Sequence, residues 1–192
     1  MFVPWPNDRF VRHLESEGHR LRQRLKLGST ARLDPAALIA TYDNMVLFDL
    51  RTAPAVHAED LRVLRDESSR WSAMAFRMGE ANPWLITWNP WHAENRIRVS
   101  LMEEVSHIIL RHKPTDLVPH PITGLPQRTF TRSKEREAYG VAGAALVPFN
   151  GLAPLVQRGC PDAQIAETFG VSVELVVMRT NVTKARQLAS AR

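Results

Sequence analysis

One cysteine in 192 residues, Cys160, excludes a disulfide framework within the chain and any zinc module built from several thiolates. No apolar run approaches the ~20 residues that a membrane span needs. The opening MFVPWPNDRF has none of the basic region, apolar stretch or small-residue cleavage site of a secretory signal. These absences make a cytoplasmic protein with no membrane partner the expectation. Glycine is scarce, nine residues against thirteen prolines, which predicts sharp loops rather than long flexible linkers. No phosphate-cradling glycine loop and no Gly-x-Ser-x-Gly elbow occur, so the common nucleotide-binding and serine-hydrolase signatures are missing.

What is present is an ordinary apolar fraction of 44% and a net charge of +5. That length and composition suit one core with a helical appendage. The charge is uneven. Residues 1–33 hold Arg9, Arg12, Arg20, Arg22, Arg24, Lys26 and Arg32 against Asp8, Glu15 and Glu17. Basic ends attract nucleic acid, but solvated helix faces have the same composition. The second reading is favoured over nucleic-acid binding.

Phe10, Leu14, Leu21 and Leu25 recur at helical spacing between Asn7 and Gly28, and Asp34-Pro35 opens a second helix reaching about Tyr42. MVLFDL at 45–50 reads as a strand, and residues 58–68 as a charged surface helix or loop. SAMAFRM at 72–78 and WLITW at 84–88 read as two strands joined by a turn. A helix is expected over about 91–112, a proline-rich loop over 113–130, and a third long helix from Ser133 to Val147, halted by Pro148. Short helices follow. Helices, a small antiparallel or mixed sheet, then helices again argue for an α+β fold.

Within the middle helix lies RVSLMEEVSHIILRH, residues 98–112. It stands one residue away from His-Glu-x-x-His, with Glu103 in the first position. Positions four apart share a helix face, so Glu103 and His107 are able to approach one ion together. Glu104, about 100° around, is placed to meet a water on that ion. Apolar neighbours on most sides predict a buried helix, where unpaired carboxylates are costly. The same Glu-His spacing also arises on ordinary amphipathic helices with solvated acids. A third ligand must come from SKEREAYGVAGAALVP, residues 133–148. Glu135 is preferred because Ala138 and Ala142 on its face let another helix approach. Glu137 is expected to look outward or toward a supporting partner. Both acids equally suit a helix N-terminus without any metal.

LDPAALIATY, WLITWNP, RVSLMEEVSHIILRH, EREAYGVAGAALVP and IAETFGVSVELVVMRTNV, in that order, resemble the ImmA/IrrE family of bacterial metallo-endopeptidases. Arg98, Ser100 and Leu101 before the motif, and Glu-x-Glu-Ala running to Leu-x-Pro, carry the likeness most specifically. The resemblance covers about three quarters of the chain. It implies a zincin-like core, Zn²⁺ held by His107 and Glu135, and Glu104 as the base that activates water. It also implies cleavage or inactivation of helix-turn-helix repressors, with induction of mobile-element or stress-response genes.

The departure is Glu103, where the family has histidine. A Glu-His-Glu set donates more charge, makes the ion a poorer Lewis acid and suits harder ions such as Mn²⁺. A working site with altered metal preference, a slow protease and an inactive, binding-only descendant all remain open. Ser106 replaces a frequent glycine. His112 lies five residues past His107, off the metal face, and reads as a surface histidine, with a supporting or substitute role as the alternative. His120 in the proline loop is a weaker candidate. Tyr139, one turn from Glu135, is a candidate transition-state donor.

Residues 162–181 fit a helix-turn-helix template, with Ala166 at the crossing, Gly170 in the turn and Val176 in the packing. Its outward positions, Ser172, Val173, Glu174, Val177 and Met178, read bases poorly, leaving Arg179 and the basic tail for phosphates. A partner-docking helical pair is therefore preferred. The expected organisation is a basic N-terminal helix over 1–30, a metalloprotease-like core over 31–148 and a helical subdomain over 149–192. The expected function is a metal-dependent endopeptidase acting on a protein partner. The alternatives are an inactive protease-like regulator and, below it, a DNA-binding module.

Overall fold

The computed structural model describes residues 5–53, 56–119 and 126–190, so His120 lies outside the described residues. The chain divides into two compact units, one of Met1–Asp34 with Tyr139–Arg192 and one of Pro35–Ala138. The division falls within a single helix. The fold is α+β.

In the central unit, α2 (Pro35–Ile39) precedes β1 (Met45–Leu47), α3 (Ala58–Asp66), β2 (Ala73–Phe76), β3 (Trp84–Trp88) and α4 (Glu94–Ile109). β3 is the middle strand of a mixed sheet. It pairs parallel with β1 and antiparallel with β2, in the registers Leu47↔Ile86 and Ala75↔Ile86. Ile86 and Thr87 are fully buried there, as expected for the strand with neighbours on both sides. The strand expected over 45–50 stops early because the Asp49 side chain accepts the Arg51 N–H at 2.9 Å and caps a short 3₁₀ turn at Leu50–Thr52.

α4 buries Leu101, Met102, Val105, His107 and Ile108. Ser106 is accommodated without exposure, its hydroxyl donating to the Met102 carbonyl one turn back at 2.7 Å. The segment expected to be a plain loop instead carries an antiparallel pair, β4 (Asp116–Pro119) and β5 (Pro126–Thr129). Pro119 and Pro126 lie opposite each other at one end of the ladder, where their missing N–H groups cost least. Prolines that suggest a plain loop from composition here mark strand ends. α5 (Arg132–Leu146) begins in this unit.

The other unit holds α1 (Arg9–Arg24), the later turns of α5, α6 (Phe149–Gln157), α7 (Asp162–Phe169), α8 (Val173–Thr183) and α9 (Ala185–Ser190). Asp8, one residue later than expected, caps α1 by accepting the Phe10 and Val11 N–H groups at 2.8 and 3.1 Å. The small residues of α5 are used here. A Cβ on Gly18 of α1 would lie 2.7 Å from the Ala144 backbone, and one on Gly140 would lie 2.7 Å from Leu14. Gly170, at φ 64°, turns the chain between α7 and α8 as the template predicts.

Arg179 overturns an expectation. It is fully buried, its Nε donating to the Val147 carbonyl at 3.0 Å and its guanidinium paired with Glu15, which also accepts the Phe149 N–H at 2.9 Å. It holds three segments together and has no access to phosphates. The exposed positions of α8 are the apolar Val173 and Val177, the acidic Glu174 and Asn181. Among the described residues no single helix is long and apolar enough to cross a membrane.

Candidate metal centre

Helical spacing places Glu103 and His107 one turn apart on α4, and Glu135 comes from the first turn of α5. One ligand atom from each of the three lies within 4.8 Å of the others. His107 is 3% exposed, with Nε2 3.3 Å from Glu135 Oε2. These are the residues singled out as ligands from the sequence, and the fold brings all three to one point.

The electrostatics of the cluster are unfavourable as it stands. Burial pushes the Glu103 carboxyl up to about 7, and the neighbouring charges of Glu104 and Glu135 push it the same way. Two carboxylates and an imidazole nitrogen offer lone pairs to one small volume. A divalent cation complements that donor set in charge and in ligand type, with oxygen and nitrogen at the distances of a shared coordination sphere. The residues fit a metal. Glu104 is half-buried beside Glu103 on the next position of α4.

His107 is held on its other sides by residues of the same unit. Phe130 stacks on the imidazole, with ring centroids 3.9 Å apart and planes 19° from parallel. Nothing in composition or spacing marks Phe130, because its place follows from β5 ending one residue before it. His112 is the second correction. Its side chain is 6% exposed, not on the surface, and its Nδ1 lies 3.0 Å from His107 Nδ1.

An ideal helix continued to residue 112 would carry this side chain off the metal face, but the helix ends before it. α4 stops at Ile109, and Arg111 turns left-handed at φ 53°. The His112 N–H then donates to the His107 carbonyl and the Arg111 N–H to the Ile108 carbonyl, both at 3.0 Å. This pair of bonds is a Schellman cap, and it folds residue 112 back over the last helical turn.

Glu137 accounts for the far side of His112, with Oε2 3.3 Å from Nε2. It therefore faces a supporting partner rather than solvent. Burial lowers the His112 pKa, the bond and charge of Glu137 oppose that shift, and the Lys134 charge adds to it. Tyr139, 37% exposed, belongs to the other compact unit.

Comparison with known proteins gives one match. The family model for the IrrE N-terminal-like domain, Peptidase_M78, matches residues 56–181. No curated protein and no solved structure matches the chain.

Proposed function

The chain belongs to the Peptidase_M78 family of IrrE N-terminal-like domains, and from that premise we propose that it is a metal-dependent endopeptidase of the cytoplasm. The observation that carries this reading is the convergence of Glu103, His107 and Glu135 to within 4.8 Å. His107 and Glu135 would hold the ion, and Glu103 would join them in the place where the family resemblance expects histidine. Zinc suits the imidazole and carboxylates, and the second carboxylate makes Mn²⁺ the alternative. When bound, such a cation polarises the scissile carbonyl and makes water more acidic.

The rest falls to the chain. Glu104 accepts a proton from the attacking water as its oxygen adds to the peptide carbon. It returns that proton to the nitrogen as the C–N bond breaks. Glu103 sheds its own proton when a cation arrives, which ties metal uptake to pH. The substrate class implied by the resemblance is a helix-turn-helix repressor, so that cleavage would act on gene expression.

A second reading, an inactive protein-binding regulator on the same fold, draws on Glu103 itself. More donated charge weakens the cation as a Lewis acid. DNA binding is disfavoured by the apolar exposed positions Val173 and Val177 and by the burial of Arg179.

Metal analysis and peptide cleavage test the proposal together. One tightly held zinc or manganese ion per chain is expected, lost in His107→Ala and in Glu135→Ala. Glu104→Gln is expected to keep the metal and lose on the order of 10²- to 10⁴-fold in hydrolysis of a repressor substrate. A chain that takes up neither ion after loading is the regulator.

A further inference from the structure

The fold sorts the basic excess of residues 1–33 into two groups. Arg22 is buried, its guanidinium donating to the Ala145, Gly28 and Ala31 carbonyls at 2.8, 2.5 and 2.6 Å. Arg32 closes the carboxyl end of α7, donating to the Glu167 and Thr168 carbonyls. Both hold the chain together. Arg9, Arg12, Arg20, Arg24 and Lys26 are exposed instead.

Four of these five are arginines of α1. Helical geometry gathers them within an arc of about 120° along about 22 Å of the helix axis. An ordinary solvated face intersperses acids with bases. No acid of α1 lies inside this arc. Glu17 borders it, 2.6 Å from Arg20, whose side chain is still 68% exposed. Such a pair is weak in water. Asp8, the acid just before the helix, is engaged as its cap. The opposite face of α1 is seated on α5, with Gly18 against Ala144 and Leu14 against Gly140. The arginines therefore project from a helix that cannot roll.

We propose that the exposed face of α1 binds the phosphate backbone of double-stranded DNA, independently of base sequence.

Arginine presents a planar fork that meets phosphate oxygens two at a time, and every exposed cation of the helix is an arginine. A membrane surface fits less well. A helix lying on a bilayer inserts its apolar face, and that of α1 is buried. Single strands are gripped by aromatic stacking, and the arc holds no Phe, Tyr or Trp. Duplex RNA has a deep, narrow major groove, whereas the major groove of DNA admits an α-helix between its phosphate walls. The burial of Arg179 and the apolar positions of α8 count against base readout, and contacts to phosphate need none. The proposal does not depend on the metal site.

Fluorescence anisotropy of the full chain with a labelled random-sequence DNA duplex, across a salt series, tests it. A Kd on the order of 10⁻⁶ to 10⁻⁴ M is expected at physiological salt. Each engaged phosphate contributes about −0.9 to the slope of log K against log salt, so four arginines give about −3.6. In Arg12→Ala/Arg20→Ala the slope is expected to shrink by about 1.8. Arg12→Lys/Arg20→Lys, which keeps the charge, should restore it. Arg62→Ala/Arg65→Ala removes the same charge from exposed positions of α3 and should leave binding unchanged. Far-UV circular dichroism checks that the variants fold.

No duplex binding at low salt overturns the proposal. So does a slope unchanged in Arg12→Ala/Arg20→Ala, or an equal loss in the α3 variant. Tighter binding to single strands or to duplex RNA overturns it too. Binding to phosphatidylserine vesicles that Arg12→Ala/Arg20→Ala abolishes, with duplex binding unaffected, makes the face a membrane contact and overturns it as well.

Discussion

Two carboxylates are withdrawn from water in this chain under opposite conditions. Glu15 meets the Arg179 guanidinium and the Phe149 N–H, both supplied by the same compact unit. Glu103 meets Glu104 and Glu135, which raise its pKa in the same direction as its burial does. Charge answered by the chain's own cation and N–H groups builds the fold. Like charges drawn together from two helices cost stability, and a site that accepts a cation from solution recovers that cost. The contrast separates an acid that the fold neutralises from one that it leaves among like charges.

The sharpest way to break the comparison is to remove the cation from the first pair. Arg179→Met leaves Glu15 buried without its partner, and urea unfolding is expected to show a loss of about 3–5 kcal/mol. Adding Glu15→Leu should recover part of that loss. A much smaller loss would mean that the two acids are not on different terms after all.

A smaller effect is expected at Glu103, and its sign is opposite. The folded carboxyl titrates at about 7, above its ordinary 4.5. Between those values the folded chain keeps a proton that the unfolded chain has released. Stability of the metal-free protein therefore falls as pH rises from about 4.5 through about 7. Glu103→Gln should flatten that slope in thermal melts followed across the same pH window. In the parent chain, added zinc should recover stability most above the upper value, by mass action. A slope that survives Glu103→Gln places the titrating acid elsewhere.

The smallest change expected concerns Arg111, held left-handed at φ 53° in the turn that returns His112 to the site. Arg111→Gly should raise stability by about 1 kcal/mol, since glycine adopts that conformation without a Cβ clash. The chelator-measured zinc affinity should stay unchanged, because the cap is kept. A drop in affinity would show that the arginine contributes more than its backbone.

How much of this was legible follows from the range of each interaction. Glu103, His107 and Glu135 were readable because helical spacing sets two of them and helix position the third. The central strand pair was readable from apolar runs with a turn between them. His112 was not, since extrapolating an ideal helix fails at a left-handed residue that no glycine announces. Phe130 was hidden because prolines at 119 and 126 disguise the β4–β5 pair that precedes it. Arg179 was misread because its partner Glu15 stands 164 positions away, beyond the reach of any local pattern.

Phe130 follows directly after β5, so the flat ring covering the imidazole is anchored by a small ladder that contributes none of the three proposed ligands. That arrangement gives the histidine an intrinsic magnetic reporter. Its ring protons sit in the shielding cone of the benzyl group, and their upfield displacement would register any loosening of the neighbouring strand pair before the proposed ligand atoms themselves moved.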